Sequence, residues 1–315
     1  MTSRDFEYTN KTVYSIESVA IRSTWAGYCL FVIASSFIGD TIILIASTKF
    51  RVFKLHDAIV AIIQHIAFCD LMVSAIDILP RFVYIIANDW VLGNFICTLA
   101  AYSRYYLNAV SVLLLCTLTS CKFYLLKYPL HLEALPPKKA HVICIACWLA
   151  ALAFPITFLV DKADIYPSYK DYQCSYAATS EIWQWMKLFL AVAFIFVPTC
   201  LVVASTIFIL VIAKRFARRG CHSLKLQGTM AIVLTATVYC ASFLPYVIFR
   251  VVESILSDSD RDRQDFLIKF YRVVLAFISL NTISNFFIYN LTVVSFRRFV
   301  FKLLIPHQYQ NLYSE

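Results

Sequence analysis

Residues 95–126 read FICTLAAYSRYYLNAVSVLLLCTLTSCKFYLL, a run in which only Arg104 and Lys122 carry charge. Crossing about 30 Å of hydrocarbon takes roughly 20 apolar residues in a helix, and this run exceeds that length. Six more of the same kind stand near 25–48, 58–86, 139–160, 183–213, 226–252 and 266–293. They predict an all-α membrane protein built as a seven-transmembrane helix bundle. The composition points the same way, with 61% hydrophobic and 15% charged residues, against roughly 25% charged in a soluble domain. Such a chain has too little polar surface to cover a globule in water. No internal repeat or Gly/Ser-rich linker appears, so the expected organisation is a segment 1–24, one bundle over 25–293, and a tail over 294–315.

Residues 1–24 include Arg4, Asp5, Glu7, Lys11 and Glu17 and no apolar core, so no secretory signal is expected and the first span inserts itself. The loops set the orientation. The first, third and fifth inter-span segments with the adjoining span ends, and the tail, carry fifteen basic residues, among them Lys49, Arg51, Lys122, Lys127, Lys139, Lys214, Arg215 and Arg297, against three acids. The other side carries eight basic and thirteen acidic residues. The positive-inside rule therefore places the N-terminus outside and the C-terminus in the cytoplasm of a plasma-membrane protein. The net charge of +9 belongs to a face apposed to anionic lipid, not to a nucleic-acid site. Asn10-Lys11-Thr12 is a glycosylation sequon on the outer side, whereas Asn290-Leu291-Thr292 lies near the inner end of a span. Of eleven cysteines, only Cys97 and Cys174 fall on the oxidising side, and a single bridge between them fits the compartment.

Cys144 and Cys147 form a CxxC inside an apolar run with no second ligand pair, which reads as helix packing, so no metal site is expected. Beyond the seventh span, Phe296, Phe299, Val300, Leu303 and Leu304 recur at helical spacing opposite Arg297, Arg298 and Lys302. This predicts a short amphipathic helix lying in the membrane interface and ending before Pro306.

Several motifs now fall in register. Trp90, Gly93 and Cys97 precede and open the third span, with Cys174 in the second outer loop. Ile66-Ala67-Phe68-Cys69-Asp70 lies in the second span and Trp148 in the fourth. Pro198 and Pro245 mark the fifth and sixth, and Asn285-Phe286-Phe287-Ile288-Tyr289 the seventh. This set resembles the rhodopsin-like G-protein-coupled receptors over residues 25–304. The resemblance implies a Cys97–Cys174 bridge, a buried aspartate at Asp70, kinking prolines, and coupling to heterotrimeric G proteins. Cys121-Lys122-Phe123 stands where the family has Asp-Arg-Tyr, and Phe286 where it has the proline of Asn-Pro-x-x-Tyr. Asp40 replaces an asparagine and Thr206 a tyrosine, and Ser242-Phe243-Leu244-Pro245 stands for Cys-Trp-x-Pro, with Phe243 in the tryptophan's place.

A charged group inside a span is costly and marks a candidate site. Two groups stand out. Asp70, Ser111, Asn281 and Asn285, with Asp40 nearby, match the positions that line the family's sodium pocket. The alternative is a hydrogen-bonded core in which Asp40 and Asp70 share one proton. Nearer the outside, Arg104 falls two turns below Cys97, with Asp77 and Arg81 at i, i+4 and Arg250 and Glu253 at i, i+3. Lys187 and Arg272 sit near outer helix ends, and Tyr105, Asn108 and Tyr246 would complete the walls. Together these make a net-positive pocket for an anionic ligand. The alternative is internal pairing, for instance Arg104 with Asp77, while Lys187 and Arg272 reach toward headgroups. By resemblance, Arg104 replaces the aspartate of amine receptors and Ser279 the retinal-binding lysine of opsins. Cys121, Lys122, Phe123, Phe243, Pro245 and Tyr289 form the expected activation and coupling set.

No nucleophile–base pair or metal-ligand motif suggests an enzyme. The leading expectation is a receptor for an extracellular ligand, an anionic small molecule or peptide, signalling through heterotrimeric G proteins. The altered motifs keep a binding-only or weakly coupled seven-helix receptor as the alternative. Beyond a sodium ion at Asp70, no cofactor is expected.

Overall fold

The computed structural model describes residues 19–48, 52–53, 55–128, 136–161, 164–168, 172–177, 185–186, 189–190, 192–218, 228–256 and 261–304. Among these, seven helices are long and apolar enough to cross a membrane. In chain order they are α1 (Val19–Thr48), α2 (Asp57–Ala87), α3 (Gly93–Lys127) and α4 (Pro137–Ala151, continued by Ala153–Asp161). They continue with α5 (Val197–Arg218, entered through a π-helical turn at Val192–Phe196), α6 (Thr229–Leu256) and α7 (Arg261–Thr292). A short helix α8 (Val294–Leu304) follows. The expected seven-helix bundle with an eighth amphipathic helix is what the chain forms. Helices α1 and α7 start one to two turns ahead of their expected spans: α1 takes in Val19, Ala20 and Ile21 before Arg22, and in α7 backbone hydrogen bonding continues through the polar stretch from Arg261 to Asp265.

Helix α3 threads the centre, with Leu107, Ala109, Val110, Val112, Leu114 and Leu118 all buried. By contrast α4 and α5 expose Val142, Ile145, Leu149, Leu201, Ile207 and Phe208 on their outer faces, as a helix solvated by lipid can. Polar groups close the helix ends. The Nδ1 of His56 accepts from the Ala58 N–H at 3.3 Å and caps α2, and Asp57 in its first turn suits the helix dipole. Asn88 ends α2 in the left-handed region (φ 55°), and Gly93 opens α3 at φ 75°. Between them Trp90 Nε1 donates to the Gly93 carbonyl at 2.9 Å, which accounts for the spacing of that motif.

Prolines leave visible marks. Pro80 and Pro198 each follow a π-helical turn, at Ser74–Ile78 and Val192–Phe196; such a turn absorbs the missing donor and the ring's clash with the preceding turn. Pro155 follows a break at Leu152 that divides α4, which the sequence presents as one continuous run. Phe286, in place of a proline, leaves α7 uninterrupted through Asn285. A Cβ on Gly39 would lie 2.7 Å from the Cβ of Phe286, so α1 and α7 approach at a point where no side chain fits. On α8, Phe296 and Val300 are buried and Phe296 stacks on Phe53 (5.0 Å), while Arg297, Arg298 and Lys302 face outward.

A two-stranded antiparallel hairpin, β1 (Asp164–Ser168) and β2 (Gln173–Ala177), lies across one end of the bundle, with Pro167 opposite Cys174. The predicted disulfide joins Cys97 at the start of α3 to Cys174 on β2, with a Cα–Cα distance of 5.4 Å.

Candidate functional site

The charged group near the hairpin is built around one carboxylate. Asp77 sits in the π-helical turn of α2, and Arg81 follows it on the same face. An Nη2 of Arg81 donates to Asp77 Oδ2 at 3.0 Å, and Nε of Arg104, reaching across from α3, donates to Asp77 Oδ1 at 2.9 Å. The three side chains are 9–11% exposed. Two guanidinium groups thus share one anion almost out of contact with solvent. Arg81 Nε is buried with no hydrogen-bond partner among the described residues.

The hairpin completes this arrangement through three consecutive residues. Gln173 Oε1 accepts from Arg81 at 2.8 Å, and the Cys174 carbonyl accepts from Arg104 Nη1 at 3.2 Å. Tyr172, held at φ 53°, presents its ring to Arg272 of α7, whose guanidinium lies 4.4 Å from the ring centroid. Arg272 is 6% exposed, so it turns inward and does not reach toward headgroups. Of the two alternatives in the sequence, the internal pairing of Arg104 with Asp77 is present, and Arg81 shares the same carboxylate. Sequence reasoning missed Gln173 and Tyr172. Their signal was adjacency to Cys174, since a bridge to the top of α3 carries its neighbours over the pocket.

Beneath the hairpin, Asp77, Arg81, Arg104, Tyr105, Asn108 and Tyr246 line a cavity that continues down to Asp70, Ser111 and Asn281. The two groups distinguished in the sequence therefore open into one space. Its volume of about 70 Å³ admits waters or a small ion; organic-ligand pockets run to roughly 300–1,000 Å³. A larger ligand needs the hairpin and helices to part. Lys187 lies outside the described residues, as do the side chains of Arg250 and Glu253.

In the polar core, Asn285 Nδ2 donates to Asp70 Oδ2 at 2.8 Å, tying α7 to α2. Ser36 Oγ donates to Asp40 Oδ2 at 2.6 Å and lies 3.4 Å from the Asp70 carbonyl. Ser36, one turn before Asp40 on α1, is a core member visible in the i, i+4 spacing and overlooked. Asp40 and Asp70 are 1% and 2% exposed. Asp40 Oδ1 and Asn285 Oδ1 are buried oxygens with no partner among the described residues. Orphaned oxygens beside a carboxylate are the donor chemistry that a hard cation such as sodium takes.

At the opposite end, Cys121 and Lys122 are 8% and 4% exposed. Lys122 is thus enclosed by the bundle and does not extend to water. Phe123 meets Phe208 of α5, and Phe243 lies 4.5 Å from Tyr239 beside Pro245 of α6. Tyr289 packs edge-on to Phe53 and Phe296. Asn10 lies outside the described residues.

Comparison with known proteins matches this architecture. The profile described as "7 transmembrane receptor (rhodopsin family)" aligns with residues 40–289. Cysteinyl leukotriene receptor 1 of Sus scrofa is 25% identical over 211 residues, 62% of this chain and 59% of that receptor. Dopamine receptor 2 of Caenorhabditis elegans is 26% identical over 181 residues, covering 55% of this chain and 21% of the relative. Octopamine receptor beta-2R of Chilo suppressalis is 22% identical over 178 residues, covering 54% and 42%. The matched region spans less than two thirds of the length of each of these relatives.

Proposed function

Since the chain belongs to the rhodopsin family of seven-transmembrane receptors, we propose that it binds an anionic extracellular ligand, a small acid or an acidic peptide, and signals through heterotrimeric G proteins. By family it is a multi-pass membrane receptor and not an enzyme. The ligand class rests on one observation: Arg81 and Arg104 converge on the Asp77 carboxylate in a setting with little water. Charge-assisted contacts from guanidinium groups are strong in such surroundings, and a planar fork suits a carboxylate or phosphate. A ligand carboxylate or phosphate joins Asp77 there and takes over the places of the Gln173 side chain and the Cys174 carbonyl. An ammonium ligand, of the kind for which the dopamine and octopamine receptors are named, would meet like charge at Arg104.

The N-terminus faces outward in this reading, and the hairpin roofs the ligand entrance. Asp70, with Ser111, Asn281 and the free oxygens of Asp40 and Asn285, would hold a sodium ion. That ion supplies a counter-charge to the carboxylates, and a proton shared by Asp40 and Asp70 is the competing occupant.

The test is a screen of acids, phosphates and amines against cells carrying the receptor and a promiscuous G protein. An anionic agonist is expected, weakened by roughly 2–5 kcal/mol in Arg104→Ala and substantially in Arg104→Lys, which lacks the planar fork. An amine agonist whose potency survives Arg104→Ala overturns the ligand class. Lys122, Cys121 and Phe243 in place of the family's residues favour a second reading, a receptor that binds without coupling. Ligand binding with no nucleotide exchange on any G protein identifies it.

A further inference from the structure

On the flank of the bundle, away from the cavity, two imidazoles meet across a helix contact. His65 Nε2 of α2 and His141 Nδ1 of α4 are 3.1 Å apart, with ring centroids 5.3 Å apart and planes tilted by 59°. Both residues are partly buried. Neutral rings at this distance share one hydrogen bond, in which one ring N–H donates and the other nitrogen accepts. The same separation suits two neighbouring ligands of one ion. Metal–nitrogen bonds of about 2.0–2.1 Å at the tetrahedral angle place the nitrogens roughly 3.3–3.4 Å apart, which a small outward tilt of the rings provides. Entry of an ion needs the donor ring to shift its proton to its far nitrogen, with no net gain or loss of protons, and the rings to tilt toward a common point.

Among the described residues, no group of three or more His, Cys, Asp and Glu is placed to hold a metal. The remaining positions would be taken by water reaching in from the Pro137 end of α4, about one turn before His141. Two imidazoles with open positions suit late first-row ions and not hard cations, which prefer oxygen. We propose that His65 and His141 form an interhelical site for a divalent late transition-metal ion, Zn²⁺ or Cu²⁺, that clamps α2 to α4. Because α2 also carries Asp70 and Asp77, the clamp acts on the helix that serves both the polar core and the ligand cavity.

The full chain, purified in detergent without a polyhistidine tag, is loaded with CuCl2 or ZnCl2. The Cu²⁺ electron paramagnetic resonance spectrum should show coupling to two nitrogens, reduced in His65→Gln and in His141→Gln while His56→Asn leaves it intact. Both ions should raise Tm by a few degrees relative to EDTA, Cu²⁺ more than Zn²⁺ as the affinity order requires, and either Gln variant should abolish the rise. Glutamine keeps a hydrogen-bonding side chain at each position, so the variants remain foldable. A wild-type spectrum without two-nitrogen coupling, or a spectrum and Tm shift unchanged in both Gln variants, overturns the proposal.

Discussion

Asp77 is the carboxylate that both Arg81 and Arg104 contact, and its removal is more informative than that of either arginine. In Asp77→Asn, Arg81 and Arg104 lose the carboxylate that both contact at 2.9–3.0 Å. Breaking a buried pair by deleting one partner costs about 3–5 kcal/mol, because the other charge stays behind. The double variant Asp77→Asn/Arg104→Gln removes a partner from each side and should recover a large part of that loss. Thermal unfolding of the purified variants measures both, and a double variant no more stable than Asp77→Asn refutes the shared-carboxylate account. That Arg104 needs a partner was legible, since a guanidinium two turns inside a span is too costly to keep there alone. Asp77, 27 residues away on another helix, was among the partners the sequence offered; that Arg81 takes the other oxygen of the same carboxylate was not legible.

The helices owe their contacts to small residues and to local departures from α geometry. At Gly39, an added Cβ would stand 2.7 Å from Phe286 Cβ and 2.8 Å from its Cγ, and neither atom is the flexible end of a side chain. Gly39→Ala should therefore push α1 from α7 at a cost of about 1–3 kcal/mol, as overpacking typically does. Because Asp40 adjoins Gly39 and Asn285 adjoins Phe286, the polar core should loosen with it. A lowered Tm for Gly39→Ala, with Gly27→Ala near wild type because open space surrounds that position, is the expected result; equal values for the two would contradict it. The spans themselves were readable from apolar length. The π-helical turns before Pro80 and Pro198 were not, since a proline says that the ladder must yield but not where.

Across the membrane, orientation is the property with the sharpest consequence. In the orientation proposed above, with fifteen basic residues on the inner side and an acidic excess on the outer, Asn10 would stand outside. Asn290 lies inside α7, with its Oδ1 buried. In eukaryotic cells Asn10 should carry glycan and Asn290 none. Loss of the mobility shift in Asn10→Gln, with Asn290→Gln unchanged, checks this by gel after glycosidase treatment. A glycan at Asn290 would reverse the topology.

The fold class, the spans, the Cys97–Cys174 bridge and the amphipathic α8 were all present in the one-dimensional string. Transfer from water to lipid is additive over a window of neighbours and registers in any run of about twenty residues. Through-space pairing is not additive in that way. Arg81 with Gln173 is separated by 92 residues and Asn285 with Asp70 by 215. Several partners were chemically acceptable for each of these groups, and only the packed bundle, by its distances and its exclusion of solvent, selects among them. Tertiary structure alone therefore decided that one carboxylate serves two arginines, that the hairpin lies over both, and that the cavity beneath it opens onto the polar core.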